Sequence, residues 1–465
     1  MAAPKSKIGL EIHVQLATES KLFCSCPTRA EEPNTATCEV CLGMPGSKPA
    51  LNRRAVDYAA MVALALNCEI NREFFFSRKT YFYPDLAKNY QITQYEAPVG
   101  EGGFLEVDGV RVKIRRVHLE EDPASLVHES GSGSSAYSLV DYNRSGIPLA
   151  EIVTEPDIQS PEHARHFMDE LLKILGYLGI YRHGESVLKA DCNLSIEGGE
   201  RVEVKNVTGF RAIEDALAAE YARQVKVVSD GGKIGRETRG FDAEKGTTYL
   251  MRKKETEEDY GYIFDADLAK AEVDEKWLSD LKAKMPELAA QKAKRFVAQY
   301  GLKEYDAKVL SIDRPLAEIY EHVVKTTGEP HISSVFISGT LCSVLNYNKL
   351  NITDTKITAS GISDLVNYLK QKQVSEKNAK ESLIKYALEG TEPKEFLEKN
   401  KLLIEGDSSD VEGAVREIAS ANKAAFDEFR GGNIKSLNFL IGLVMRKLKG
   451  KADARTVQKI LEEMK

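Results

Sequence analysis

Long apolar runs are missing from this chain. No stretch approaches the roughly 18 unbroken apolar residues of a membrane helix, and Met1 to Lys7 lacks the apolar core of a signal peptide. A cytoplasmic protein is therefore expected. Excess positive charge is missing too. The formal net charge is −7, which argues against a generic nucleic-acid coat, whose affinity rests on many phosphate contacts, while leaving room for a local basic face. Cysteine is sparse, at seven in 465 residues, which does not suggest a disulfide framework. The sequence holds no G-x-x-x-x-G-K-[ST] loop and no kinase glycine-rich loop. Any ATP site must then be built on a sheet from scattered acids and bases. Internal repeats and low-complexity runs are absent.

What is present divides by texture. The length suggests about three domains at roughly 150 residues each. Up to about residue 275 the chain reads as strands, turns and a few helices. Ile8 to Leu16 alternates apolar and polar, as a half-buried strand does. Leu188 to Ile196 and Arg201 to Lys205 alternate about Gly198-Gly199, as a hairpin does. Val56 to Leu66 and His163 to Leu178 have helical apolar spacing, the second opened by Ser160-Pro161-Glu162. From about residue 276, Lys, Glu, Ala and Leu dominate and helices are expected, interrupted near His331 and Asn351. A third segment begins near Leu403, with helices at Val411 to Ser420, Phe426 to Arg430 and Ser436 to Leu448. The expected organisation is multidomain α+β: a large mixed-sheet domain over 1–285, an all-α domain over 286–403 and a small all-α tail over 404–465.

Several acids and bases sit where strands would aim them together. In Ile8 to Leu16 the apolar residues Ile8, Leu10, Ile12, Val14 and Leu16 share one face, and Glu11, His13 and Gln15 share the other. A carboxylate and an imidazole two apart on a strand make a compact cation edge; a solvated strand face is the plainer reading. Glu120 and Glu121 end the run that follows Arg111 to Arg116. Glu151 and Glu155 share a face if extended, and Asp191 and Asn193 share the polar face of the hairpin. Oxygen ligands near strand ends suit Mg²⁺, a hard ion held by few carboxylates plus substrate phosphates. Lys79 is placed to neutralise a transferring phosphate, and Arg144 sits on a turn; taken singly, each of these clusters also fits ordinary surface charge.

Cys24-x-Cys26 and Cys38-x-x-Cys41 are two close thiol pairs with eleven residues between them. They match a closed tetrahedral Zn²⁺ site that would fold the 24–41 loop rather than catalyse; free thiols or a redox pair are the alternatives. Near the C-terminus, Lys435, Arg446, Lys447, Lys449, Lys451 and Arg455 surround a short amphipathic helix. They form either a phosphate-backbone footprint or a solvated basic face.

Taken in order, Ile8–Leu16 (IGLEIHVQL), Leu42–Pro49 (LGMPGSKP), Arg78–Asp85 (RKTYFYPD), Lys88–Gln94 (KNYQITQ), Val117–Asp122 (VHLEED), Tyr137–Asp157, Asp191–Ser195 (DCNLS), Val202–Asn206 (VEVKN) and Phe439–Lys451 (FLIGLVMRKLKGK) resemble the B subunit of aspartyl/glutamyl-tRNA(Asn/Gln) amidotransferases, the GatB/GatE family. The resemblance covers nearly the whole chain. It implies a catalytic cradle domain related to the glutamine synthetase fold, a helical domain and a YqeY-like tail that binds tRNA. It implies that ATP phosphorylates the side-chain carboxylate of Glu or Asp on a mischarged tRNA(Gln) or tRNA(Asn), and that ammonia then displaces the phosphate. An amidase A subunit would make that ammonia from glutamine, and a small C subunit would brace the pair in a heterotrimer. Residue by residue, it implies Glu11, His13, Glu120 and Glu151 as Mg²⁺ ligands, Lys79 as the essential lysine and Asp191 as an acid near the site; Glu120 and Glu151 also count as catalytic, and Lys79 and Arg144 would meet ATP. An archaeal relative specific for Glu-tRNA(Gln) carries an inserted synthetase-like domain, for which this sequence leaves no room.

Two other readings remain open. One is ATP-dependent amidation of a free small carboxylate, which the basic tail speaks against because a small substrate needs no remote cationic domain. The other is a tRNA-binding scaffold without activity, which the intact set of Glu11, His13, Lys79, Glu120 and Glu151 speaks against.

Overall fold

The computed structural model describes residues 4–127, 137–182, 186–252, 261–404, 408–448, 452 and 454–464. The chain forms two compact units, residues 1–288 and 289–465.

The first unit is built on a nine-stranded mixed sheet. Its spatial order is β14 (Thr247–Arg252), β13 (Glu237–Asp242), β12 (Val202–Thr208), β11 (Leu188–Ile196), β1 (Ser6–Gln15), β10 (Pro148–Thr154), β7 (Val110–Glu121), β6 (Gly100–Val107) and β2 (Glu69–Ile70). Among the described strands, only β12 and β13 pair in parallel. A second sheet joins β15 (Gly261–Phe264), β4 (Ser77–Thr80) and β5 (Tyr90–Thr93). Two short pairs complete the strands: β3 (Glu73–Phe74) with β16 (Ala271–Glu272), and β8 (Ser125–Val127) with β9 (Leu139–Asp141).

One face of the large sheet is covered by α1 (Arg53–Ala65), α2 (Pro161–Leu178) and α3 (Phe210–Ser229). The alternation of the first strand explains why. Ile8, Leu10, Ile12 and Val14 are buried in the core with Val117, Leu119, Ala150 and Ile152 from its neighbours, because successive side chains of a strand leave opposite faces of the sheet. The helix start read at Ser160 holds as well: its side chain accepts from His163 N, Pro161 follows, and Gly179 closes the helix in the left-handed region at φ +67°. The opposite face of β1, β7, β10 and β11 carries the candidate site. Helix α3, which the sequence pattern did not announce, packs on β11 and β12.

All the regular secondary structure among the described residues of the second unit is helical. The interruption expected near His331 falls at Gly328, a left-handed helix cap, after which helix resumes at Pro330 and runs through Asn348. A second break comes at the short turn Ile352–Asp354. At its C-terminal end, Ser408–Ala421, Lys423–Arg430, Ile434–Lys447 and Ala454–Glu463 enclose a core of their own, including Val415, Phe429, Leu440, Val444, Val457 and Leu461. The last of these helices was not anticipated.

Candidate functional site

Register is what assembles the site. Across β1 and β10, His13 stands opposite Glu151; across β10 and β7, Glu151 stands opposite His118 and Leu149 opposite Glu120; across β1 and β11, Glu11 stands opposite Asp191. Directly opposed residues on one face lie within side-chain reach. His13 Nε2 is 3.4 Å from Glu151 Oε2 and 4.0 Å from Glu11 Oε1, while His118 Nε2 is 3.1 Å from the same Glu151 oxygen. Donor atoms of Glu11, His13 and Glu151 lie within 4.8 Å of one another, and so do those of His118, Glu120 and Glu151. Glu151 is shared by both groups and is the centre of the cluster.

The smaller sheet supplies the positive group. Lys79 on β4 places Nζ 4.0 Å from Glu120 Oε2. Gln91 on β5 donates from Nε2 to Glu120 Oε1 at 2.6 Å and to the Glu121 carbonyl at 2.6 Å, which fixes the Glu120 carboxylate. Glu121 turns away and accepts from Lys88 Nζ at 2.5 Å and from Ile92 N at 2.8 Å. Tyr262 on β15 stacks on Tyr95 at 4.0 Å between ring centroids and lines the same recess.

The electrostatics are those of crowded negative charge. The charge of Glu151, together with burial, pushes the Glu11 carboxyl up to about 8. Burial opposes the charged form of His13, yet its hydrogen bond to Glu151 and the charge of that residue raise it to about 10. Burial likewise works against the Lys79 ammonium, and Glu120 and Glu151 hold it well above the usual lysine range. For Glu151, burial is outweighed by His118 and His13, which keep its carboxyl well below the usual range. Three carboxylates and two imidazoles gathered this closely, one acid retaining its proton near neutrality, suit a hard divalent cation.

Two clefts meet at this cluster, both lined by Glu11, Lys79, Glu120 and Lys205. The first is rimmed by Arg115, Arg116, Arg201 and Asn193. The buried Nε of Arg116 and Oδ1 of Asn193 make no hydrogen bond among the described residues. The second is lined by His13, Asp85, Asp122, Arg144, Lys189 and Asp191. Of the residues picked out by sequence, Glu11, His13, Lys79, Glu120 and Glu151 thus come together. Asp191 lies at the edge of the second cleft, where its carboxylate accepts from Asn206 N at 2.7 Å and Lys205 Nζ at 3.1 Å. Arg144 also lines the second cleft, with Nε and Nη2 donated to the carbonyls of Pro123 and Ala124, each at 2.9 Å. Lys435, Arg446 and Lys447 are exposed on one helix of the second unit, Lys447 paired with Glu417; Lys449 and Lys451 lie outside the described residues.

His118, Gln91 and Arg116 were not singled out from the sequence. His118 had a signal: His118-x-Glu120 repeats in reverse the Glu11-x-His13 spacing on one strand face. Gln91 had none, since its role depends on how the small sheet folds over the large one.

Away from the clefts, Cys24, Cys26, Cys38 and Cys41 bring their sulfur atoms within 4.8 Å of one another. The Cys24 thiol hydrogen-bonds Cys41 and draws it down to about 4, while Cys24 itself is driven upward. Four soft donors at this spacing fit a tetrahedral Zn²⁺.

With this geometry in view, comparison with known proteins is specific. A family model described as the GatB/GatE catalytic domain matches residues 6–279, and one described as the GatB domain matches residues 318–464. The B subunit of the aspartyl/glutamyl-tRNA(Asn/Gln) amidotransferase of Thermotoga neapolitana is 43% identical over 472 residues, covering 98% of each chain. Proteins of the same name are 42% identical in Sulfolobus acidocaldarius, with 98% of this chain and 99% of the relative covered, and 40% identical in Carboxydothermus hydrogenoformans, with 98% of each covered. The sheet that carries the acidic cluster and the helices at the C-terminal end fall within these matched regions, and the chain belongs to the GatB/GatE family.

Proposed function

We propose that this protein is the ATP-dependent component of a tRNA-dependent amidotransferase, acting in the cytoplasm with an amidase A subunit and a small C subunit. Its substrate is Glu or Asp esterified to tRNA(Gln) or tRNA(Asn). The observation that carries this reading is the convergence of Glu11, His13, Glu120 and Glu151 on one face of the sheet with Lys79 above them.

The chemistry follows from the weakness of a carboxylate as an electrophile. The side-chain carboxylate attacks the γ-phosphorus of ATP, ADP departs, and the resulting acyl phosphate has a good leaving group. Ammonia adds to the acyl carbon, loses a proton and expels inorganic phosphate, leaving the amide. Glu11, His13, Glu120 and Glu151 would hold Mg²⁺, with His118 bracing Glu151; the ion would neutralise charge on the phosphoryl oxygens. Lys79, kept as an ammonium by the surrounding carboxylates, offers its positive charge to the oxygens of the transferring group. Arg116, Arg201 and Lys205 give the first cleft the charge to receive the triphosphate, which leaves the second cleft to the acyl end of the tRNA. In this reading Arg144 and Asp191 border the acyl group. Cys24, Cys26, Cys38 and Cys41 would hold a structural Zn²⁺, and the tail, 404–465, would meet the tRNA backbone.

ATP hydrolysis by the assembled complex, assayed with mischarged tRNA, uncharged tRNA and free glutamate or aspartate, tests the reading. Stimulation by the mischarged tRNA is expected. Stimulation by the free amino acid, with none by aminoacyl-tRNA, would overturn it in favour of small-molecule amidation.

A further inference from the structure

Lys21 is a lysine with no exposure at all, in a place where burial needs a reason, because an ammonium leaves water at high cost unless its donors are satisfied. All three of its N–H donors are engaged: Nζ donates to the Ala36 carbonyl at 2.8 Å, to the Tyr142 carbonyl at 3.2 Å and to Cys41 Sγ at 3.6 Å. One ammonium thus joins the cysteine loop, one of its sulfurs and the turn that carries Arg144.

The same two segments are laced together along their length. Asn34, held at φ +60°, accepts from Tyr142 N at 2.7 Å and donates from Nδ2 to the Val140 carbonyl at 3.0 Å, and its own N–H reaches Asp141 Oδ1 at 2.9 Å. Asn143 accepts from Ala36 N at 2.8 Å and donates to the Glu32 carbonyl at 2.7 Å. Ser145 Oγ donates to the Cys41 carbonyl at 3.2 Å, and Leu22 N to the Gly146 carbonyl at 2.8 Å. Residues 29–41 contain no helix or strand. The turn's far side is the second cleft, where Arg144 spans from Pro123 and Ala124 to Asp122, 3.4 Å away.

We propose that the cysteine centre sets the conformation of the 140–146 turn, and through it the wall of the second cleft, with Lys21 as the positioning residue that links metal loop to turn. Four thiolates around a divalent ion leave two negative charges, and the buried ammonium beside Cys41 offsets one of them. Partners of this kind, outside the direct ligands, tune metal affinity and orient what surrounds it. The inference rests on the proposal that the four thiolates hold zinc.

The test uses the full chain. Zinc content is measured first; then zinc release to a chromophoric chelator and amide hydrogen exchange are followed in the wild type, in metal-stripped protein and in Lys21→Met. Lys21→Met is expected to release zinc roughly 10–100-fold more readily. Stripping the metal and Lys21→Met should each speed exchange at the Tyr142, Ser145, Gly146 and Ile147 amides by about tenfold or more. Amides of the Glu376–Glu389 helix, in the other unit, should keep their rates. Should Lys21→Met fail to fold, Asn34→Gly keeps the left-handed backbone and removes two of the cross-bonds; it should loosen the turn while zinc retention stays as in the wild type. A chain that takes up no zinc overturns the zinc assignment and this inference together. A chain that holds zinc, yet shows the same turn exchange when stripped and in either variant, overturns the inference alone.

Discussion

At the scale of the residue, Glu120 is the member of the cluster whose environment says most about its task. Gln91 holds one carboxylate oxygen and Lys79 faces the other, so the group is oriented before any substrate arrives. Glu120→Ala is expected to lower phosphoryl transfer by roughly 100–1000-fold or more, with tRNA affinity nearly unchanged; filter binding beside an ATPase assay checks both. Retained activity with a large loss of affinity would contradict the role. Glu11 gives a pH prediction. Its carboxyl sits at about 8 through the charge of Glu151 and through burial, so below that pH a cation must displace its proton. Mg²⁺ affinity should therefore rise with pH, approaching about tenfold per pH unit near pH 6 and levelling off towards pH 8 for this one proton, and titration calorimetry in buffers of differing ionisation enthalpy should show protons released. The sign for the metal-free fold is opposite. A carboxyl raised above its unfolded value favours the folded state while protonated, and that contribution fades as pH climbs from the usual carboxylate range through about 8.

At the scale of the element, the close seating of β6 against the end of α1 offers a plain check of packing. A methyl group on Gly103 would stand 2.4 Å from the Leu66 carbonyl oxygen and 2.5 Å from Cys68 Sγ. Gly103→Ala should cost about 1–3 kcal/mol of stability, seen as a lowered denaturation midpoint, while Gly235, with open space around it and no left-handed backbone, serves as a control through Gly235→Ala. Elements also show where sequence reading succeeds. Alternation in Ile8–Leu16 identified the buried face correctly because one face of that strand is entirely apolar. Helix α3 escaped because its buried side is interrupted by Glu220 and Gln224, both fully buried. Glu220 binds Arg223 one turn along the same helix at 2.7 Å and Thr248 on β14 at 2.8 Å, and a partner on a distant strand leaves no periodic trace in the helix. Helix Ala454–Glu463 escaped because it buries only Val457 and Leu461 on a charged segment. The spacing within Glu11-x-His13 was legible, but the neighbourhood of Glu151 was not, since strand order is a property of distant pairing.

At the scale of the whole molecule, one unit carries the acidic cluster and the other includes a small helical core whose surface carries Lys435, Arg446 and Lys447. Removing residues 404–465 should weaken tRNA binding by roughly tenfold or more and flatten its dependence on salt, with Mg²⁺ binding to the remaining protein unaltered; unchanged tRNA binding would refute the assignment of the tail. Strand order carries a further consequence. β10 lies between β1 and β7 in the sheet yet follows both in the chain. Until Pro148–Thr154 slides into that gap, nothing joins the two acidic strands, and the cation they would share has no seat. The cluster therefore cannot take shape on a growing polypeptide until Thr154 has been made, and a molecule in which that central strand fails to dock would leave β1 and β7 apart.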